Sequence, residues 1–153
     1  MKKGILGSHI VTQVGLLVHD IEKTAQVYAD FLGVAKPEIK VTDVIEKSQA
    51  KYKGSPTKAR AKLAFFKVGE GLDIELIEPD TEPSTWREFL DTRGEGVHHI
   101  AFEVDGMKRR VEDLEAHGHH LQQKGEYTGG RYAYIDTTKT LKTIVELLEN
   151  DPK

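Results

Sequence analysis

With 153 residues, 38% of them hydrophobic, the chain is long enough to bury one core without cross-links, and a single domain spanning 1–153 is expected. Lysine and arginine number 22 against 25 aspartates and glutamates; the net charge of −3 provides no basic field for nucleic acid, and that partner is excluded. The absence of cysteine rules out disulfides and thiolate ligands, no apolar run approaches the ~20 residues of a membrane helix, and the N-terminal stretch is interrupted by Ser8, His9, Thr12 and Gln13, so a cytoplasmic protein without membrane partners is expected.

His9 to Val18 reads as a strand, with Val14, Leu16 and Val18 on one parity and Gln13, Gly15 and Leu17 on the other. Asp20 is placed to cap a helix carrying Ile21, Ala25, Tyr28 and Leu32, which Gly33 and Pro37 end. Residues 38–57 are ambiguous: IKVTDVIE could be a strand, whereas SQAKYKGSPTK is charged, holds Gly54 and Pro56 and reads as a mobile loop. Lys58 to Val68 and Leu72 to Glu78 are two strands joined by Gly69-Glu70-Gly71; in the second, Ile74 and Leu76 face one way and Asp73, Glu75 and Ile77 the other. Thr85-Trp86-Arg87-Glu88 has the form of a capping box and starts a short helix running to about Thr92. Gly96 to Val104 is a strand with Ile100, Phe102 and Val104 on the packed parity and His99, Ala101 and Glu103 on the other. Asp105 then caps a helix with Met107, Val111 and Leu114, and Gly118 stops it. Two strands around His119–Lys124 and Arg131–Asp136 follow, and TIVELLE closes the chain, with Val145 and Leu147 packed and Glu146 opposed.

The second half repeats the first. The strand and helix around Gln13 recur around His99, and IELIEPD around Glu75 recurs as VELLEND around Glu146, over an interval shortened by about the length of the 38–57 loop. Each half reads β-α-β-β-β, an α+β arrangement with module 1 at about 9–80, a linker helix at about 83–93 and module 2 at about 95–150. Gln13, Glu75, His99 and Glu146 occupy the first and last strands of each half, opposite the packed side chains. Pseudo-symmetry would bring them together.

At these residues the chain resembles the vicinal oxygen chelate superfamily, the glyoxalase/bleomycin resistance/dioxygenase group, whose two βαβββ modules curl around a divalent metal. The resemblance implies that Gln13 in TQVGLLVHD, Glu75 in DIELIEP, His99 in HHIAFEVDG and Glu146 in IVELLEN are the metal ligands. One imidazole, two carboxylates and one amide oxygen suit Zn, Ni, Co or Mn and leave positions for substrate. Such an ion is a Lewis acid able to hold two adjacent substrate oxygens and stabilise an enolate or enediolate. Ferrous oxygenases normally use two histidines and one carboxylate, so a lone histidine argues against oxygen chemistry.

Within the family, GVHHIAFEVDG and WREFLDTRGEGVHHIAF look most like methylmalonyl-CoA epimerases, implying a metal-dependent isomerase that moves a proton next to a carbonyl of a 2-carboxyacyl-CoA, with Glu146 as ligand and base. Epimerases are expected to carry a second acid/base glutamate on a middle strand of the first module, where this chain reads KARAKLAFFKV; Glu46 and Glu103 are the nearest carboxylates. Lactoylglutathione lyase is the rival, since the Gln/Glu/His/Glu set is compatible with it, and a non-catalytic small-molecule binding module of the same fold is the third reading. The resemblance further implies a CoA or glutathione thioester as ligand and a homodimer as the assembly.

Each residue also has a plain reading. Taken singly, Gln13, Glu75 and Glu146 are solvent-facing strand positions, and only the repeat raises them together. Strand parity sends His98 to the packed face as a hydrogen-bonded structural histidine. His117, His119 and His120 fall at a helix end and a loop start and read as a solvated cluster. Arg131 in GGRY is a candidate for binding a substrate carboxylate or phosphate, against a plain hairpin turn, and Trp86 reads as packing.

Overall fold

The structure is a computed structural model and describes residues 4–153. Strand β1 (Val11–Leu17) leads into helix α1 (Ile21–Leu32), whose first turn is capped by Asp20 accepting from Lys23 N and whose end is set by Gly33 in the left-handed region at φ 70°. Then come β2 (Lys40–Val41), α2 (Ile45–Ser48), β3 (Lys51–Tyr52), β4 (Ser55–Pro56), β5 (Ala61–Gly69) and β6 (Leu72–Pro79). The second half holds α3 (Thr85–Arg93), β7 (Gly96–Glu103), α4 (Met107–Ala116), β8 (His120–Tyr127), β9 (Gly130–Asp136), α5 (Thr138–Leu141) and β10 (Ile144–Asn150). No helix among the described residues is long and apolar enough to cross a membrane.

All ten strands join one sheet in the order β2-β5-β6-β1-β7-β10-β9-β8-β3-β4. β1 lies parallel to β6, β7 parallel to β10, and an antiparallel β1–β7 seam joins the halves. The repeat is visible in the register. Gly15, two residues after Gln13, pairs with Glu75, and Ala101, two residues after His99, pairs with Glu146.

Strand alternation sorts the core into two outer layers and an inner one. On one face, Ile21, Ala25 and Ala29 of α1 pack on Ala64, Phe66 and Leu76. On the same side of the other half, Met107 and Leu114 of α4 pack on Ile135, Val145 and Leu147. The opposite parity carries Leu17, Ile77, Tyr134 and Ile144, and α3 adds Trp86 and Leu90 to make a floor inside the curl.

Three local expectations are corrected. The cap of α3 is Ser84, whose side chain accepts from Arg87 N at 2.9 Å, leaving Thr85 inside the first turn. Asp105 does not cap α4; Gly106 stands at the cap at φ 67°, and the Glu149 carboxylate accepts from Gly106 N at 2.6 Å and Met107 N at 3.0 Å. A carboxylate delivered from β10 thus does the work of a local cap. Residues 38–57 are not a free loop: β2 pairs with β5 at one edge of the sheet, and β3 pairs with β8 at the other, Lys51 opposite Lys124 and Tyr52 opposite Gln123. The segment thus runs from one edge of the sheet to the other by way of α2.

Candidate metal centre

Inside the curl lies a cavity of about 640 Å³, reached by Gln13 from β1, Glu75 from β6 and Glu146 from β10. His99 from β7 completes the group. One ligating atom from each of Glu75, His99 and Glu146 lies within 4.8 Å of the others, and all three residues are buried. His99 Nε2 is 3.1 Å from Glu146 Oε1 and 3.4 Å from Glu75 Oε1. Among the described residues, Gln13 Oε1, Glu75 Oε1, His99 Nε2 and Glu146 Oε1 are the buried side-chain atoms that lack a hydrogen-bond partner.

Room for this cluster comes from the seam. Across it, the long Gln13 faces the small Ala101, and the long His99 faces Gly15. A Cβ on Gly15 would stand 2.0 Å from His99 Cε1, inside the ring's own space. Only glycine lets the imidazole fold down over β1 toward Glu75.

The charges explain each other. Burial holds the Glu75 carboxyl above the usual carboxylate range, and the Glu146 charge adds to that effect. Burial alone would lower the His99 imidazole, but Glu146 and Glu75 outweigh it and push it up to about 9. Burial and the neighbouring His99 hold His98 well below the usual histidine range. The Tyr134 and Tyr132 phenols are raised by burial and then by Glu146. Both remain neutral. Trp86 Nε1 donates to the Tyr134 hydroxyl at 3.1 Å, and Gln123 Nε2 donates to that of Tyr132 at 3.0 Å, so each phenol keeps its own O–H for the cavity.

A divalent ion fits this set. Leaving a buried polar atom without a hydrogen bond costs about 1–3 kcal/mol, and a divalent ion among these side chains would give each of the four atoms the partner it lacks. The donors are three oxygens and one imidazole nitrogen, borderline-to-hard ligands whose two carboxylates balance a double charge.

Of the residues singled out in the sequence, the structure gathers Gln13, Glu75, His99 and Glu146 at one cavity, whose wall also includes Glu103 and Trp86, and it sends Arg131 and the surface histidines elsewhere. Arg131 lies on the parity of β9 opposite Tyr132 and Tyr134, where Glu149 and Asp151 engage its guanidinium at 2.7 and 2.5 Å; it is not on the cavity wall. His120 pairs with Glu115 and His117 with the Asp113 carbonyl, both at the exposed end of α4. His98 is a hydrogen-bonded structural histidine, yet not by simple parity. β1 pairs Gly15 with His99 and Leu16 with Val97, so His98 sits in a bulge, and its ring turns toward His99 and Tyr134, 5.1 and 5.2 Å away. Gly15, Tyr132 and Tyr134 take part in the site without standing out in the sequence as functional residues. The alternation of RYAYID, with tyrosines on one parity and Ala133 and Ile135 on the other, carried the signal for the two tyrosines.

Comparison with known proteins agrees with this fold. A hypothetical protein from Bacillus halodurans C-125 superposes with a TM-score of 0.63 at 22% identity, covering 94% of this chain and 96% of its own. Methylmalonyl-CoA epimerase from Mycobacterium tuberculosis superposes with a TM-score of 0.64 at 21% identity, covering 99% of this chain and 93% of its own. A variant of the Streptomyces coelicolor methylmalonyl-CoA epimerase in complex with 2-nitronate-propionyl-CoA gives 0.59 at 18% identity, covering 93% and 97%. In sequence, the uncharacterized protein YqjC of Bacillus subtilis (strain 168) is 28% identical over 141 residues, 89% of each chain. The model of the Glyoxalase/Bleomycin resistance protein/Dioxygenase superfamily matches residues 12–134, and the chain belongs to that superfamily.

Proposed function

We propose that this protein is a metal-dependent enzyme that moves a proton on the carbon next to a carbonyl, with epimerisation of methylmalonyl-CoA or a similar 2-carboxyacyl-CoA as its reaction. The observation that carries this reading is the convergence of four unpaired buried ligand atoms at a cavity whose wall includes Glu146. Gln13, Glu75, His99 and Glu146 would hold one divalent ion. Such an ion, when bound, supplies a Lewis acid that makes the α-proton acidic by drawing negative charge onto the adjacent oxygens.

The chain's own residues do the rest. The Glu146 carboxylate takes the proton from the α-carbon, and the C–H electron pair passes into an enolate. The neutral phenols of Tyr132 and Tyr134 are O–H donors on the same wall, suited to hold a substrate oxygen as its charge grows. Leu63, Phe65 and Leu148 keep water from the carbanion side of the cavity. Lys40, at the mouth on β2, is the cation on the cavity wall and suits an anionic group of the substrate. The likeness to epimerases supports this substrate class, and in one of them a CoA thioester analogue is bound. A homodimer in the cytoplasm remains part of the reading.

A second reading, isomerisation of a glutathione hemithioacetal, has its own observation. β5 brings only Leu63 and Phe65 to the cavity and no carboxylate opposite Glu146. Moving one proton between adjacent carbons on a single face requires one base, whereas epimerisation requires delivery to both faces. The test is incubation of the zinc-, nickel-, cobalt- or manganese-loaded protein in D₂O with methylmalonyl-CoA and, separately, with the glutathione–methylglyoxal hemithioacetal, followed by NMR. Metal-dependent α-deuteration of the thioester supports epimerisation; turnover of the hemithioacetal alone supports the second reading. Inactivity on both in a metal-loaded sample overturns both and leaves only the fold and the metal site standing.

A further inference from the structure

The two ring nitrogens of His99 have different neighbours. Nε2 faces Glu75 and Glu146, whereas Nδ1 lies 2.9 Å from Nδ1 of His98. Two imidazole nitrogens in contact must be one donor and one acceptor. The contacts then continue away from the cavity: His98 Nε2 is 3.0 Å from Thr85 Oγ1, and Thr85 Oγ1 donates to Gln122 Oε1 at 2.9 Å.

The far end sets the direction of every proton in this chain. The Gln122 amide oxygen only accepts, so the one hydroxyl proton of Thr85 is committed to it, and Thr85 Oγ1 must accept from His98 Nε2–H. His98 is fully buried and faces no carboxylate, which makes a second charge beside His99 costly and leaves its ring neutral with a single proton. That proton is on Nε2. Nδ1 of His98 is therefore bare, and Nδ1 of His99 is the donor to it.

We infer that His98, Thr85 and Gln122 form a positioning relay that keeps a proton on Nδ1 of His99, so that Nε2, facing the cavity, is the nitrogen that gives up its proton to a metal. The relay rests on the reading of His99 as a ligand through Nε2. Run the other way, His98 would donate to His99, force the proton onto Nε2 and close it to any cation. The bulge at His98 now has a reason: strict alternation would carry that ring to the other face of the sheet, out of reach of both His99 and Thr85. Phe89 and Tyr134 hold the His98 ring edge-on, each at 5.2 Å, and the relay ties β7 to α3 and β8. His98, Thr85 and Gln122 are thus positioning residues, acting on the metal only through His99.

The test is nitrogen-15 NMR of the histidine rings in the full chain, metal-free and zinc-loaded, with zinc affinities of variants measured by chelator competition. The expected spectrum shows His98 in the Nε2–H form with and without zinc, and His99 in the Nδ1–H form with zinc. Thr85→Val should weaken zinc binding by roughly 10–100-fold, and Thr85→Ser, which keeps the hydroxyl, should restore it. Gln122→Glu keeps an acceptor and should retain affinity; Gln122→Lys provides only donors and should lose it. His98 found in the Nδ1–H form, or unchanged affinity in Thr85→Val, overturns the relay. Should Thr85→Val fail to fold, the wild-type spectrum decides alone. Should the wild type bind no zinc, the metal reading falls, while the His98 form in metal-free protein still decides the direction of the relay.

Discussion

Gly15 and His99 face each other across the β1–β7 seam, and the imidazole occupies the space where a Gly15 side chain would be. Because the clash would be with ring atoms at 2.0 Å rather than with a flexible chain end, Gly15→Ala must displace His99 or the strand beneath it. The expected outcome is a loss of about 1–3 kcal/mol in folding stability from overpacking, together with a larger fall in metal affinity. Urea denaturation of metal-free protein and zinc titration of the same sample separate the two effects; unchanged zinc affinity would show that His99 does not reach the metal.

His99→Ala should abolish stoichiometric binding of one divalent ion per chain, because it removes the only nitrogen donor of the set. His119→Ala and His120→Ala should leave binding unchanged, since His120 is engaged with Glu115 at the surface, away from the cavity. Equal losses from all three would put the ion in the wrong cluster. Arg131→Ala should leave substrate affinity unchanged, since its guanidinium pairs with Glu149 and Asp151.

Metal-free protein should lose stability as the solution becomes alkaline. The folded His99 imidazole sits at about 9, above the ~6.5 of an unfolded histidine, so its stabilisation is full below about pH 6.5 and disappears as pH rises through 9. Glu75, also raised, contributes with the same sign. Denaturation in the presence of a chelator at pH 6 and pH 9.5 measures this, and His99→Gln should flatten the difference. For the same reason zinc must displace a proton. Uptake at pH 7 should release it, which calorimetry in buffers of different protonation enthalpy detects, and affinity should rise with pH toward 9.

The sheet and the position of the four polar residues were legible in the sequence because both rest on periodicity. Alternation at Gln13, Glu75, His99 and Glu146 and the recurrence of two segments are local signals that tertiary packing reinforces. What was not legible depends on partners distant in the chain. The His98 bulge arises from the register of β7 against β1, the cap of α4 from Glu149 on the final strand, and strand β3 from pairing with β8. The surroundings of Arg131 were hidden for a related reason: beside Gly129 and Gly130 it reads as a hairpin turn or a ligand-approach loop, and the Glu149 and Asp151 carboxylates that engage its guanidinium lie 18 and 20 residues away.

The proton path discriminates between the two proposed reactions. Glu146→Gln keeps an oxygen donor but removes the base, and it should abolish α-deuterium exchange while retaining measurable substrate binding. For epimerisation a second group must serve the opposite face. Glu103 stands on the same parity of β7 as His99 and lies on the cavity wall, whereas Glu46 is exposed on α2 and is not part of that wall. Glu103→Gln should therefore slow interconversion of the epimers by at least ~10²-fold while exchange from one epimer persists, and Glu46→Gln should match the wild type. Single-face isomerisation of a hemithioacetal has no use for Glu103, so a Glu103→Gln variant with full activity on that substrate would decide for the one-base reaction. NMR of each epimer separately in D₂O distinguishes these outcomes, because washout without inversion and inversion itself give different isotope patterns at the α-carbon.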